Sequence, residues 1–379
     1  MSLRRILSEY WFGLQAHLFP ALEDAMGPLG ERYQSFVAVL EFVRVERFLP
    51  HFTGLPGRPR EDRAALARAF IAKAVFDLTT TRALIERLAV DRTLRRLCGW
   101  NEVRELPSEA TFSRAFSAFA ASALPSRLHE ALIEHTVDDQ LVGHLSRDST
   151  AIEGREKPTP KPPQPPKAKR KRGRPRKGEQ RPPKEPRRLE RQPDMSLPEM
   201  IEDLPRACDV GAKRNAKGHQ ESWVGYKLHI DAADGGIPVS CILSSASLHD
   251  SQVAIPLATM SAARVTNLYD LMDSAYDAAE IRQYSAALGH VAIIDDNPRR
   301  DAARKQALLT EAQAQRASGF QYPEDVRYRE RSTVERVNGR LKDEFGGRHV
   351  RVRGHAKVLC HLMFGIVALT VDQFLRMLN

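Results

Sequence analysis

Cysteine is scarce in this sequence and never occurs in a metal-binding pattern. Four cysteines are spread over 379 residues, with no Cys-x2-Cys pair and no histidine at the spacing of a zinc ligand: Cys98, Cys208, Cys241 and Cys360. The sequence therefore argues against a disulfide scaffold and a structural zinc site, and it indicates a reducing compartment.

The sequence also has no uninterrupted apolar run of membrane-spanning length. The longest run, residues 358–371, covers 14 residues and contains His361, whereas a spanning helix needs about 20. The N-terminal segment carries two arginines but no apolar core of signal-peptide length. We expect a buried helix at 358–371, a cytoplasmic location and no membrane partner.

Positive charge is unevenly distributed along the chain. There are 58 Lys and Arg against 48 Asp and Glu, for a net charge of +10. Residues 155–191 alone hold 16 Lys and Arg, four Glu and 10 of the 24 prolines, so the remaining chain is close to neutral. Such a segment cannot bury enough apolar surface to offset its ordering entropy. We expect a disordered basic insert over residues 155–195 that binds a polyanion through phosphate contacts.

Within this insert, residues 171–177 read Lys-Arg-Gly-Arg-Pro-Arg-Lys. The Arg-Gly-Arg-Pro core resembles an AT-hook, in which arginines enter the narrow minor groove of A·T-rich DNA. The candidate DNA contacts are Arg172, Arg174 and Arg176. A general electrostatic tether and a nuclear localisation signal are the two alternatives for a run of this composition.

The first 138 residues show helical periodicity. Leu66, Phe70 and Ala74 recur at helical spacing, and Ser108 is placed to cap a helix that carries Phe112. The short helices between residues 82 and 119 are compatible with a helix-turn-helix or with ordinary helix packing. We expect residues 1–138 to form an all-α domain that binds DNA or mediates dimerisation.

After residue 139 the periodicity changes to alternating strands and helices. This order predicts a mixed α/β sheet, with residues 139–154 as its first strand and 196–379 as its remainder beyond the insert. The predicted strands are 141–152, 223–230, 237–243, 265–272 and 291–294, and the predicted helices are 251–262, 278–288, 299–317, 325–345 and the C-terminal apolar segment.

Three acidic residues stand out by their positions. Asp148 lies in or at the end of the first predicted strand, Asp273 follows the strand 265–272, and Glu335 lies in the helix 325–345. A single Asp or Glu is far more often a solvated carboxylate than a ligand, so these positions alone do not define a site.

The helix 325–345 has two distinct faces. At 100° per residue, Tyr328, Arg331, Glu335 and Lys342 project within an arc of about 60°. The opposite face is apolar and is formed by Val326, Val334, Val337 and Leu341. A solvated face with an Arg331–Glu335 pair would explain the charges, but it gives no role to Tyr328 or Lys342.

The spacing Tyr-x2-Arg-x3-Glu-x6-Lys resembles the Tyr-Arg-Glu-Lys signature of bacterial insertion-sequence transposases with a DDE active site. The segment beginning at Asp148 resembles the first-Asp strand of that family, and Asp273 with Tyr276 and Asp277 resembles its second-Asp block. The segment from residue 57 to Trp100 is similar to the N-terminal domain common in these proteins. The resemblance covers nearly the whole chain apart from the basic insert.

The resemblance implies a ribonuclease-H-like catalytic domain in which Asp148, Asp273 and Glu335 hold Mg²⁺, with Mn²⁺ as a substitute. It implies phosphodiester cleavage at the ends of the element and transfer of the freed 3′ end into target DNA. Arg331 and Lys342 are then expected to hold backbone phosphates, and Tyr328 to contact the cleaved strand. The expected partners are terminal inverted repeats and target DNA, bound by a homodimer in the bacterial nucleoid.

The chain also departs from the family pattern. The second Asp is often followed by a basic residue and Gly, whereas Ser274 and Ala275 follow here. Asp270, Asp277 and, less favoured, Asp250 are therefore alternatives for the second carboxylate.

Other residues and functions also remain open at this stage. Trp223, Lys227 and His249 are secondary site candidates, each equally compatible with a structural role. The alternative functions are a DNA-binding protein without catalysis and a nuclease without strand transfer.

Overall fold

The computed structural model describes residues 3–50, 61–137, 141–160, 185–214, 218–296, 298 and 301–378. Residues 57–60, at the start of the segment that is similar to the family's N-terminal domain, lie outside the described residues, and so do the three candidate AT-hook arginines, Arg172, Arg174 and Arg176.

The described N-terminal part is helical, as predicted. Four of its helices begin at a side chain that accepts a hydrogen bond from a first-turn N–H: Asp62, Thr80, Asp91 and the predicted cap Ser108. The helices are α1 (Leu3–Gly13), α2 (Phe19–Met26), α3 (Glu31–Val43), α4 (Arg63–Val75), α5 (Thr81–Val90), α6 (Arg92–Cys98), α7 (Glu109–Ala121) and α8 (Leu124–Val137).

The strands then form one mixed sheet, which confirms the predicted α/β class. The strands are β1 (Leu141–Glu153), β2 (Asp209–Arg214), β3 (Gln220–Ala233), β4 (Ile237–Ser245), β5 (Thr266–Met272) and β6 (Val291–Ile294). Their order is β2-β3-β1-β5-β6, with β4 also paired to β3. β3 is antiparallel to β1, β2 and β4, whereas β1, β5 and β6 run parallel.

Helices cover this sheet and extend beyond it. α11 packs on β3 and β4, and α15 packs on β1 and β3. The helices after β1 are α9 (Arg188–Arg191), α10 (Leu197–Asp203), α11 (Ser251–Ala262), α12 (Ala279–Ala287), α13 (Ala302–Ser318), α14 (Pro323–Tyr328), α15 (Ser332–Glu344) and α16 (His355–Arg376).

Gly225 lets the long strand β3 change partners. It pairs with Glu153 of β1 on one side and with Asp209 of β2 on the other. Its φ is +152°, and a Cβ atom there would lie 2.1 Å from the carbonyl oxygen of Ile152. Only glycine accommodates this approach of two backbones.

A buried ion pair crosses the centre of the sheet. Arg147 on β1 donates to both carboxylate oxygens of Asp231 on β3, at 2.7 and 2.8 Å, and both side chains are almost fully buried. The Ser261 hydroxyl donates to the same carboxylate at 2.7 Å. Because the pair is bidentate and further hydrogen-bonded, its desolvation cost is largely offset.

α16 is the central helix of the molecule. It packs against α3, α4, α7 and α8 of the N-terminal part and against β4 of the sheet, so one hydrophobic core joins the two regions. By length and hydropathy α16 is the one described helix that would cross a membrane, but 72% of its apolar window is buried inside the protein. The buried helix predicted at 358–371 is confirmed as a core helix.

The predicted disordered insert is wrong for its final residues. Residues 185–195 contain α9 and a following 3-10 turn, and Leu189 and Gln192 are buried. Arg188 donates to a carboxylate oxygen of Asp203 at 2.6 Å, and it also contacts Gln252. The composition predicted disorder, because the contacts of Arg188 with Asp203 and Gln252 form only in the folded chain and are not evident from the local sequence.

The helix predicted over 325–345 is confirmed as helical structure from Pro323 to Glu344, with a 3-10 turn at Arg329–Arg331 between α14 and α15. The Ser146 hydroxyl of β1 donates to the Glu330 carbonyl in this turn. Val334, Val337 and Leu341 are buried as predicted, but Val326, which precedes the turn, is 48% exposed.

Candidate active site

Asp148 lies on β1, and Asp273 directly follows the adjacent parallel strand β5. The pairing of β1 with β5 places Arg147 opposite Met272. The residues that directly follow this pair are Asp148 and Asp273. Because side chains alternate along strands, residues at matching positions share one face of the sheet. The sheet therefore brings together two carboxylates that are 125 positions apart in sequence.

Arg331 connects this pair to Glu335. Its Nη1 lies 2.5 Å from Oε1 of Glu335, and its Nη2 lies 3.7 Å from Oδ2 of Asp273. The Arg331 side chain is 16% exposed, whereas that of Glu335 is 56% exposed. The guanidinium thus lies among the carboxylates, and Glu335 is held at their solvent side.

Burial disfavours the ionised form of two carboxyls in the site. Burial raises the pKa of Asp148 to about 7, and the neighbouring Asp273 and Asp250 raise it further against the opposing effect of Arg331. Burial also raises the pKa of Asp273, with smaller contributions from Asp250 and Asp295. A site that destabilises carboxylate charge in this way favours a bound cation.

Two further carboxylates belong to this neighbourhood. Asp250, at the start of α11, accepts a hydrogen bond from Nζ of Lys227 at 2.9 Å. Asp295 follows β6, and the pKa of Tyr328 is raised by burial of the phenol and by its hydrogen bond with Asp295. Asp250 and Lys227 were secondary candidates, but sequence reasoning missed Asp295. Its place directly after a parallel strand is the signal that would have found it.

The other candidates from the sequence contact residues other than the three carboxylates. Asp270 is buried, accepts a hydrogen bond from Asn267 at 3.0 Å and faces His290. Asp277 pairs with Arg282 at 3.3 Å. His249 shares a hydrogen bond with the Ser251 hydroxyl at the start of α11.

Tyr328 and Lys342 lie on opposite sides of the carboxylates. Tyr328 ends α14, next to Asp295 and Arg331. Lys342 is seven residues beyond Glu335 on α15, half-buried, and its pKa is lowered by burial and by Lys213 and Arg348. Lys342 therefore belongs to a cationic region adjoining the site rather than to the carboxylate cluster.

The donor chemistry of the site fits a divalent cation. Carboxylate oxygens are the ligands that Mg²⁺ and Mn²⁺ accept, and a bound cation would offset the burial that raises the pKa of Asp148. In the described residues, however, no three His, Cys, Asp or Glu side chains stand close enough to hold a metal. Arg331 now provides the positive charge at this place, so a metal would have to replace it.

Comparison with protein families matches most of the chain. Residues 145–371 match the model described as Transposase DDE domain, and residues 22–118 match the model described as Transposase domain (DUF772). No curated protein and no solved structure shows significant similarity to the chain. Because the first match spans more than half of its length, the chain belongs to the family of transposases with a DDE domain.

The two matches together identify an insertion-sequence DDE transposase. The protein is thus a DNA transposase, an enzyme whose substrate is DNA, and members of this family use divalent metal ions. The resemblance inferred from Tyr328, Arg331, Glu335 and Lys342 is confirmed at the level of the family.

Proposed function

We propose that this transposase cleaves phosphodiester bonds at the ends of its own element and joins the freed 3′ ends to target DNA. Asp148, Asp273 and Glu335 are the catalytic carboxylates in this proposal. The observation that carries it is the abutting of Asp148 and Asp273 on parallel strands, with Arg331 linking Asp273 to Glu335.

The sheet topology supports a ribonuclease-H-like catalytic domain. Strands β4, β3 and β1 are antiparallel, and β5 and β6 follow β1 in parallel. The signature at Tyr328, Arg331, Glu335 and Lys342 supports membership of the Tyr-Arg-Glu-Lys branch.

Mg²⁺ is the proposed cofactor, with Mn²⁺ as its substitute. Asp148, Asp273 and Glu335 would hold it, and the metal would activate the attacking oxygen and stabilise the leaving 3′ oxygen. The chain's own contribution is the placement of these oxygens on two strands and a helix. Their rigid supports are the buried Arg147–Asp231 pair beneath β1 and the packing of α15 on the sheet.

The cationic residues are proposed to position the DNA. In the present arrangement Arg331 neutralises Asp273 and Glu335, and in the complex its forked guanidinium would move to a phosphate beside the cleaved bond. Lys342 would hold a phosphate further along the strand. Tyr328, next to Asp295, would stack against or hydrogen-bond to the nucleotide at the cut.

The remaining parts of the chain are proposed to bind DNA and to pair element ends. Residues 1–138 would recognise terminal inverted repeats or mediate dimerisation, with the short helices α5 to α7 as the candidate DNA-reading unit. The basic insert would hold DNA through Arg172, Arg174 and Arg176. A homodimer on DNA would place two element ends together in the bacterial cytoplasm, at the nucleoid.

The experiment uses the purified full chain and labelled DNA that spans each boundary of the element encoding it. Cleavage is measured with Mg²⁺, with Mn²⁺ and with EDTA, for the parent protein and for Asp148→Asn and Glu335→Gln. We expect metal-dependent nicks at the boundary, and joining of the 3′ end to target DNA, with both activities lost in the two variants.

Two controls separate the competing functions. Glu344→Gln, on the same helix as Glu335 but paired with Arg340, should retain cleavage. Nicks without joined products would indicate a nuclease, and tight DNA binding without nicks under any metal would indicate a binding protein derived from a transposase. Nicks that persist in both carboxylate variants would refute the site assignment.

A further inference from the structure

A continuous groove lined by basic side chains leads away from the candidate active site. Two adjoining cavities form it, with volumes of about 720 and 580 Å³, and they share Arg155 and Arg351 as lining residues. We call it the basic groove, and its principal cations are Lys73, Arg155, Lys342, Arg351, Arg353 and Lys357.

The groove connects the two regions of the protein. One end is formed by β1 residues Ala151 and Glu153 and by Lys342 of α15. The other end reaches α4, α5 and α7 of the helical region, where Thr80 and Ser113 add hydroxyl groups. A ligand in this groove would therefore contact both matched transposase domains at once.

Most of these cations have no acidic partner within the described residues. No described ion pair includes Arg155, Arg351, Arg353 or Lys357, whereas the neighbouring Arg82 pairs with Glu109 at 3.3 Å and Arg348 pairs with Asp343. These unpaired cations line the same concave surface, so their like charges repel one another. They are stabilised when an anion enters the groove.

Lys73 marks the floor of the groove as an anion site. It is only 9% exposed, it lines the cavity from α4, and its ammonium takes part in no described hydrogen bond or ion pair. Burial lowers the pKa of Lys73 to about 8, against a weaker opposing effect of Asp77. A buried ammonium without a partner is costly unless a ligand provides one.

The distance between the groove and the carboxylates corresponds to a few nucleotides of duplex DNA. Ala151 is three residues beyond Asp148 on a strand, and Lys342 is seven residues beyond Glu335 on a helix, so each lies about 10 Å from the catalytic carboxylates. This is about three base pairs of duplex DNA. A chain of phosphates that enters at the cleaved bond would thus reach the groove after about three nucleotides.

We propose that the basic groove binds the phosphate backbone of the duplex directly beside the cleavage point, over a stretch of roughly three to six nucleotides. The proposal deepens the proposed function and rests on it, because the distances are counted from the carboxylates assigned there. It assigns phosphate contacts to Arg155, Arg351, Arg353 and Lys357. A duplex fits better than a small anion, because the cations are distributed over two adjoining cavities rather than gathered in one.

The test measures binding of a labelled element-end duplex to the full chain in EDTA, by fluorescence anisotropy over a range of salt concentrations. The variant is Arg351→Gln with Arg353→Gln. The matched control is Lys305→Gln with Arg316→Gln, which removes two exposed cations of α13 that do not line the groove. We expect the groove variant to bind about 10- to 100-fold more weakly at low salt, with the slope of log K against log salt smaller by about 2. The control should equal the parent.

A second arm locates the contacts on the DNA. Methylphosphonate substitution at three to six nucleotides from the cut removes phosphate charge there, and it should weaken binding by the parent but add little to the defect of the groove variant. Substitution more than ten nucleotides away should weaken both equally. Lys73→Met, which removes the buried ammonium, should weaken binding several-fold while the protein stays folded.

Three results would overturn the proposal. One is a groove variant with the parent's affinity and salt slope, and another is a methylphosphonate effect that is fully additive with the variant. The third is equal binding and equal loss on a duplex RNA of the same sequence, which would assign the groove to RNA. Cleavage by the same proteins with Mg²⁺ decides the proposed function separately, since it depends on Asp148 and Glu335 rather than on the groove.

Discussion

At the scale of single residues, the buried carboxyl of Asp148 makes the free energy of unfolding depend on pH. Burial and neighbouring carboxylates raise its pKa to about 7 from an ordinary value of 3.8. In the unfolded chain the carboxyl ionises near pH 4, but in the folded chain it stays protonated until about pH 7. The folded state therefore holds more protons over this window, and stability falls as pH rises through it.

We expect Asp148→Asn to stabilise the metal-free protein increasingly between pH 4.5 and pH 8. Each unit of raised pKa is worth about 1.36 kcal/mol, so the gain over this range should be on the order of 3 kcal/mol in the free energy of unfolding. Urea denaturation in EDTA at both pH values measures it.

Asp91→Asn is the control for this measurement. Burial raises the pKa of Asp91, but the Leu94 N–H and the Tyr33 hydroxyl lower it by more, so the net shift is downward. Its effect should stay constant above pH 4.5. A constant effect of Asp148→Asn would show that its carboxyl titrates normally.

Arg331 and a metal ion compete for the same carboxylates, which leads to a second prediction. Arg331→Gln should bind Mn²⁺ about tenfold more tightly than the parent in the absence of DNA, because the competing guanidinium is gone. It should nevertheless cleave DNA at least about 100-fold more slowly, because the phosphate contact is lost. Electron paramagnetic resonance of free Mn²⁺ gives the affinity.

Arg340→Gln provides a matched control for this experiment. Arg340 lies on the same helix, has the same 16% exposure and pairs with Glu344 and Asp372 instead. It should leave the Mn²⁺ affinity unchanged. Equal affinities of the parent and Arg331→Gln would mean that Arg331 does not occupy the metal position.

At the scale of elements, β1 carries both a buried ion pair and a site carboxylate in consecutive residues. Arg147 and Asp231 fix β1 against β3 through two hydrogen bonds. Arg147→Met leaves a buried carboxylate with one hydroxyl partner, and we expect it to cost about 3–5 kcal/mol of unfolding free energy. Denaturant unfolding measures this loss.

The double variant tests the reason for that loss. Arg147→Met with Asp231→Leu removes both charges, so it should recover most of the stability. Arg5→Met, which breaks an exposed pair with Glu9, should change stability by less than about 1 kcal/mol. If the double variant is no more stable than Arg147→Met, the loss is due to packing.

The same elements show how far the sequence predicts the structure. The strand at 291–294 and the helix at 251–262 were predicted at their observed bounds, because apolar periodicity and turn residues mark them locally. The 3-10 turn before α15 was not predicted, because it depends on the contact of Ser146 with Glu330, 184 residues apart. β2 was missed because its six residues show no regular alternation.

The candidate site shows the same difference between local sequence patterns and long-range contacts. Asp148, Asp273 and Glu335 were predicted from their places in or after a strand and on a helix face together with the family resemblance, and they stay the proposed catalytic carboxylates. The position of Arg331 among them requires the folded sheet, and so does the contribution of Asp295. Local pattern predicts which residues carry the chemistry, whereas long-range packing decides their charge state.

At the scale of the whole molecule, α16 holds the helical region and the sheet in one core. Phe364 is buried, and its ring lies 5.9 Å from that of Phe70 and 6.5 Å from those of Phe116 and Phe119. We expect Phe364→Ala to cost about 3–5 kcal/mol. Hydrogen exchange should accelerate in α4 and α7 as well as in α16, since all three share the cavity.

The control for this prediction is an exposed ring. Phe12→Ala removes a side chain that is 68% exposed, so it should change stability by less than about 0.5 kcal/mol. Acceleration confined to α16 would mean that the helical region is stable without it.

The position of α16 has a consequence for how the protein is made. More than 200 residues separate α8 from α16 in sequence, and a ribosome adds roughly 5–20 residues per second. The helical region therefore waits on the order of 10–40 s before the helix that fills its core emerges. During that time its apolar faces are exposed to chaperones, and the DNA binding proposed for this region would be delayed until the carboxylate-bearing strands have also been made. Synthesis itself would thus couple recognition of DNA to the presence of a complete catalytic sheet.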